Sequence, residues 1–180
     1  MLTRKQLGVL AGMAAGLIAT ILVLSLPPLL ILAPPTAGID AHLAYAARAA
    51  AIVMLWLLAA VANVARARFF SAPDIDGMGF APASPRLAPD IAIVQNTLEQ
   101  SVLAAALYFA LATLRAPDLT GMIPPLLTLF CIGRASFWIG YRLGAPWRAF
   151  GFATTFYPTV FGYLVVATRI LFSPAPFGLN

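Results

Sequence analysis

The stretch Ile91-Ala92-Ile93-Val94-Gln95-Asn96-Thr97-Leu98-Glu99-Gln100-Ser101-Val102-Leu103-Ala104-Ala105-Ala106-Leu107 combines two properties that seldom share a segment. Most of it is apolar enough to lie in a bilayer, yet it holds two glutamines, an asparagine and the only glutamate of the chain. On a helix turning about 100° per residue, Gln95, Asn96, Glu99 and Gln100 project within an arc of about 140°. The expectation is therefore a membrane helix with one polar face. Ionisable groups inside a span are costly and usually face protein or water, so this face marks either a site or a helix-to-helix contact.

Outward from this segment the chain is a series of apolar runs. They cover about Leu7 to Ala33, Ala41 to Ala65, Ile91 to Leu114, Met122 to Leu143 and Phe150 to Phe172. Each is long enough at about 1.5 Å per residue to cross a hydrocarbon core of about 30 Å. Strands of a membrane barrel would instead alternate over about ten residues. Composition agrees: 62% of the 180 residues are hydrophobic, 9% are charged and the mean hydropathy is +0.92. Soluble domains carry about 25% charged residues. A cytosolic enzyme, a disulfide scaffold and a disordered tail are excluded. With one cysteine, Cys131, and one histidine, His42, no metal centre of the usual ligand types is expected. Cys131 reads as a small buried apolar residue and His42 as non-catalytic.

The first run follows Thr3-Arg4-Lys5 and is too long for a signal peptide, so it reads as a retained anchor. Gly8, Gly12 and Gly16 stand four apart along it, a spacing that permits close helix packing. Cations set the orientation. An inside N-terminus puts Arg4, Lys5, Arg66, Arg68, Arg86, Arg142 and Arg148 on the inner side, against Arg48, Arg115 and Arg169 outside. The C-terminus then lies outside. The sequence pI near 10.0 records topology rather than a nucleic-acid partner, and none is expected.

Arg134 is the remaining cation and falls within the fourth run, with Phe137, Trp138 and Tyr141 on the same stripe. Glu99 and Arg134 each come out about 13 Å from the inner surface. One polar cavity open to the cytoplasm is expected, able to hold a small zwitterion with carboxylates. The alternative is that Glu99 and Arg134 pair to hold helices together. The long connection from about Phe69 to Leu87 is either functional or a linker.

These residues carry a resemblance. Gln95-Asn96-Thr97-Leu98-Glu99 resembles the Asn-x-x-Glu helix of the MAPEG superfamily, the membrane-associated proteins of eicosanoid and glutathione metabolism. Gly133-Arg134-Ala135-Ser136-Phe137-Trp138-Ile139-Gly140-Tyr141 is similar to its Gly-Arg-x-x-Tyr-x-x-Gly-Tyr segment, and Arg148 stands seven residues after Tyr141 as the family's thiol-activating arginine does. Arg66 and Arg68 resemble the basic pair closing the family's first helix.

The resemblance is to a divergent bacterial-type member. It implies an all-α integral membrane fold: a four-helix transmembrane bundle over residues 39–180, with residues 1–38 as one extra N-terminal transmembrane helix, making five spans. It implies a homotrimer in the bacterial inner membrane, with glutathione as co-substrate at the cytoplasmic side and a lipophilic small-molecule substrate arriving through the membrane lipids. By position, Asn96, Glu99, Gln95, Arg134, Tyr141 and Arg68 would bind glutathione, and Arg148 would stabilise its thiolate. Such a protein is a thiol-dependent transferase or peroxidase. Ala92, Gln100 and Phe137 depart from the family pattern, removing one cation and two phenols. A non-catalytic relative binding a lipid or small metabolite, and a small transporter subunit, are the other readings.

Overall fold

The computed structural model describes residues 2–26, 38–77, 82–114 and 117–172, the side chains of 117 and 118 excepted. Arg115 and the end of the first apolar run, to Ala33, lie outside the described residues. The described residues form α1 (Arg4–Ser25), α2 (Ile39–Phe69), α3 (Ala88–Thr113), a single turn α4 (Pro117–Thr120), α5 (Ile123–Leu143) and α6 (Ala145–Phe172).

Local chemistry explains the ends. Thr3 and Gln6 form a capping box at the start of α1, where the Thr3 hydroxyl accepts from the Gln6 N–H at 3.2 Å. Asp40 in the first turn of α2 and Arg66 and Arg68 in its last complement the helix dipole. α3 and α5 both begin with proline in the first turn, where its missing N–H costs nothing. α5 ends at Gly144, whose φ of 118° only glycine adopts without strain. That one residue separates α5 from α6. The sequence reading started this last helix near Phe150; it starts at Ala145, so Arg148 belongs to its first turn and not to a connection.

α1, α2, α5 and α6 are long and apolar enough to cross a membrane. α3, at 26 residues, has the length, but its run of polar side chains takes it out of that set. α6 packs along α5 on one side and α1 on the other, while α2 pairs with α3. The main apolar core joins Val53 of α2, Leu107, Tyr108 and Leu111 of α3, and Ile123 and Phe130 of α5. A smaller cluster of Ala60, Ile93 and Phe137 lies toward the α2 C-terminal end. His42 is buried and its Nδ1 lies 2.7 Å from the Thr120 hydroxyl, tying the start of α2 to α4. Cys131 is half-buried against the core, more open than expected.

The glycine row of α1 is its packing face. A Cβ at Gly12 would overlap the Pro146 carbonyl oxygen, and one at Gly16 would come within 2.6 Å of Ala153 Cβ. The helix can lie on α6 only because those side chains are absent. Leu10, Leu17, Ile18 and Leu22 on the other side are exposed, as a lipid-facing surface requires. Gly12→Val should lower thermal stability in detergent by about 1–3 kcal/mol through overpacking. Gly38→Ala, where a Cβ meets nothing within 4 Å, should melt as the parent does.

Candidate functional site

The closest approach in the bundle is between α5 and α6, and glycine makes it possible. A Cβ on Gly133 would strike Thr155 Oγ1, one on Gly140 the backbone of Arg148, and one on Gly151 the backbone of Phe137. With the backbones this close, the Arg134 side chain reaches across to α6. Its Nε and Nη2 donate to Thr155 Oγ1 at 3.2 and 3.1 Å, and its Nη1 donates to Asn96 Oδ1 of α3 at 2.9 Å. The guanidinium lies 4.6 Å from the centre of the Phe137 ring and 5.9 Å from that of Phe130. Arg134 is 2% exposed, and no carboxylate pairs with it among the described residues. The alternative reading of the sequence, a Glu99–Arg134 pair holding the helices together, is not met: the two side chains make no contact.

The reason lies in how α3 is turned. Around the helix axis the four polar residues run in the order Gln95, Glu99, Asn96, Gln100. Their burial follows the same order: Gln95 and Glu99 exposed, Asn96 half-buried, Gln100 buried. The surface of the chain cuts the polar arc in two. Gln95 Nε2 donates to Glu99 Oε1 at 2.9 Å on the outside, Asn96 turns inward to Arg134, and the Oε1 of Gln100 is buried without a partner among the described residues. Thr155 was missed by sequence reasoning. Its signal was faint: one of three threonines on the inner side of an otherwise apolar helix, four residues after Gly151.

Tyr141 and Arg148 meet where α5 turns into α6. The Arg148 guanidinium lies 4.9 Å from the centre of the Tyr141 ring, and the arginine is exposed. Tyr141 packs edge-on against Phe137 at 5.2 Å, which links it to the Arg134 cluster. Arg68 stands apart. Half-buried, with its Nε unpartnered, it lines an apolar hollow of about 280 Å³ with Ile91 and Val94.

A larger cavity of about 420 Å³ opens where α2 ends, α3 begins and α5 ends. Asn63 and Arg66 of α2, Arg86 of the connection, Asp90 of α3, and Tyr141 and Arg142 of α5 line it. A polar cavity was expected at this end, but its cations are not Arg134 and Arg148. Asp74 also faces it and pins the α2–α3 connection, accepting from the Ser71 hydroxyl and from the N–H and hydroxyl of Ser84.

A model of the MAPEG family matches residues 43–172. The chain thus belongs to the MAPEG family and is an integral membrane protein of that helical-bundle class. No curated protein and no solved structure gives a match.

Thr155→Val keeps shape but removes the acceptor of two guanidinium N–H groups. It should destabilise the folded protein by about 1.5–3 kcal/mol, read from denaturant or thermal unfolding in detergent. The hydrogen bonds from Ser71 and Ser84 hold the Asp74 carboxyl below its ordinary value of 3.8. A carboxyl whose folded pKa is depressed contributes order fully above that ordinary value, and the contribution is lost as pH falls through the lower, folded one. Protection of the Ser84 amide from hydrogen exchange should fall over that acid window. In Asp74→Ala it should already be low at neutral pH.

Proposed function

We propose that this protein is a thiol-dependent transferase or peroxidase that uses glutathione against lipophilic electrophiles, with Arg148 as the thiolate-stabilising residue. Membership of the MAPEG family supports the reaction class. The observation that carries the reading is Arg148 itself, an exposed cation in the first turn of α6 beside the Tyr141 ring. A free thiol is largely protonated at neutral pH. A guanidinium next to it, at the positive end of a helix, lowers its pKa and raises the fraction of nucleophile. The thiol proton passes to water, the sulfur bonds to the electrophilic centre, and the electron pair of the broken bond goes to the departing group or opened ring, which takes a proton from water. With a hydroperoxide the sulfur attacks oxygen, the O–O bond breaks to give an alcohol, and a second glutathione releases the disulfide and water; no protein base is needed.

The outer half of the α3 polar face supports a homotrimer. Glu99 lies eleven residues into α3, about 16 Å from its start. A carboxylate exposed there to lipid is costly, so a second protomer covering Gln95 and Glu99 relieves it. A glutathione ammonium held between protomers meets Glu99 in this arrangement. Arg134 is bonded to both Asn96 and Thr155, so Arg134 and Asn96 act as positioning residues for Phe137 and Tyr141.

Charge distribution supports an inside N-terminus and an outside C-terminus in a bacterial inner membrane. Gly8 of α1 packs against Pro146, so Arg4 and Lys5 lie at the same end as Arg66, Arg86, Arg142 and Arg148. One observation favours the second reading, a non-catalytic relative that binds a lipid or metabolite. Phe137 is buried under the Arg134 guanidinium and offers no hydroxyl to a ligand.

Mixing the protein with glutathione and following thiolate absorbance separates the two. The parent should give a burst, and Arg148→Ala should lose it together with about a hundred-fold or more of thiol-dependent turnover. A parent protein without a burst would overturn the catalytic reading in favour of the second.

A further inference from the structure

The cavity between the ends of α2, α3 and α5 shares Tyr141 with the thiol site, and the rest of its lining is rich in cations. Three arginines line it from three separate elements, all of them exposed: Arg66 from α2, Arg86 from the connection and Arg142 from α5. Arg66 donates to a neutral partner, Asn63 Oδ1, at 3.0 Å. Arg86 and Arg142 make no hydrogen bond or ion pair among the described residues. Two carboxylates line the same space: Asp74 accepts three hydrogen bonds from Ser71 and Ser84, and the Asp90 side chain makes no hydrogen bond or ion pair among the described residues. Three cations against two carboxylates leave the lining with a positive excess.

We propose that this cavity binds a phosphate ester that also carries a hydroxyl or ammonium group. Three guanidiniums supplied by three separate elements suit the tetrahedral oxygens of a phosphate better than the two coplanar oxygens of a carboxylate. Asp90 and the Asn63 amide then receive the donor group of the same ligand. A volume of about 420 Å³ is within the range of small-molecule pockets and accommodates a phosphoglycerol-sized group. Leu87 and Ile93 supply an apolar wall, and Trp138 an amphipathic one, as at the level where a bilayer meets water. Two sources share this chemistry: an anionic lipid headgroup reaching in from the inner leaflet, and a soluble phosphate ester from the aqueous side.

The test uses the full-length protein and two ligands. Glycerol 3-phosphate is titrated against the detergent-solubilised chain by calorimetry. Lipid retention is measured by native mass spectrometry after reconstitution in phosphatidylcholine vesicles with and without phosphatidylglycerol. The expected result is binding of at least one, weakened about ten-fold or more in the double variant Arg86→Gln/Arg142→Gln. Binding of phosphatidylglycerol alone assigns the lipid source, and binding of glycerol 3-phosphate alone assigns the soluble one. Should the double variant fail to fold, Arg86→Lys/Arg142→Lys keeps the charge but loses the bidentate geometry, and should weaken binding in the same direction. Binding of neither ligand, or equal binding by parent and folded variant, overturns the proposal. The readout is ligand binding and not thiolate formation, so its outcome is separate from that of the Arg148 reading.

Discussion

A guanidinium ion at 2% exposure, with no carboxylate to neutralise it among the described residues, is the constraint around which this bundle is arranged. Removing such an ion from water costs several kcal/mol even after relaxation, so its donors and its charge must be met by what surrounds it. Three hydrogen bonds to Thr155 and Asn96 meet three of its five N–H donors, one on each nitrogen, and the rings of Phe137 and Phe130 lie beside the charge. Meeting them requires three helices in one relative setting. α5 supplies the ion, α6 the hydroxyl and α3 the amide. Gly133 and Gly151 let α5 and α6 approach closely enough for the contact to form. The Arg134 cluster is thus a clamp whose geometry is passed along α5 by ring contacts to Tyr141, and from there to Arg148 at the turn.

The same device of omitted side chains attaches the extra helix. α1 contributes little polar chemistry and is mostly exposed; its hold on α6 comes from the backbone contact at Gly8, Gly12 and Gly16. α6 is therefore gripped on both sides by glycine-mediated contacts, α1 on one and α5 on the other. The helix that carries Arg148 is thus packed against two others through close backbone contacts. In the role proposed for Arg148 such preorganisation is an advantage, because the protein does not have to reorganise when charge appears.

Much of this was legible in the sequence. The helices follow from the lengths of apolar runs, since a chain in hydrocarbon must satisfy its backbone internally. The boundary of α6 was missed because Ala145-Pro146-Trp147-Arg148 reads as polar and turn-like, whereas proline is tolerated in the first turn of a helix. The polar residues of α3 were found as a group, and Arg134 was found as a buried cation. Their pairing was not. Burial along the arc from Gln95 to Gln100 changes from exposed to buried over little more than a third of a turn, and that change depends on the rotation of α3 about its own axis. Nothing local sets that rotation. Packing against α2 and α6 does.

By itself, then, the chain determined its solvent, its helices, its cluster of chemically active side chains and its family, because these depend on composition, run length and spacing within single segments. Only the tertiary structure decided that Arg134 answers to Asn96 and Thr155 rather than to Glu99. Only it gathered Arg66, Arg86 and Arg142 around one cavity, from three elements far apart in the chain. The physical reason is the same in both cases. A charged side chain meets the groups that helix rotation and backbone spacing bring near it, and those distances are set by packing between segments rather than by order along any one of them.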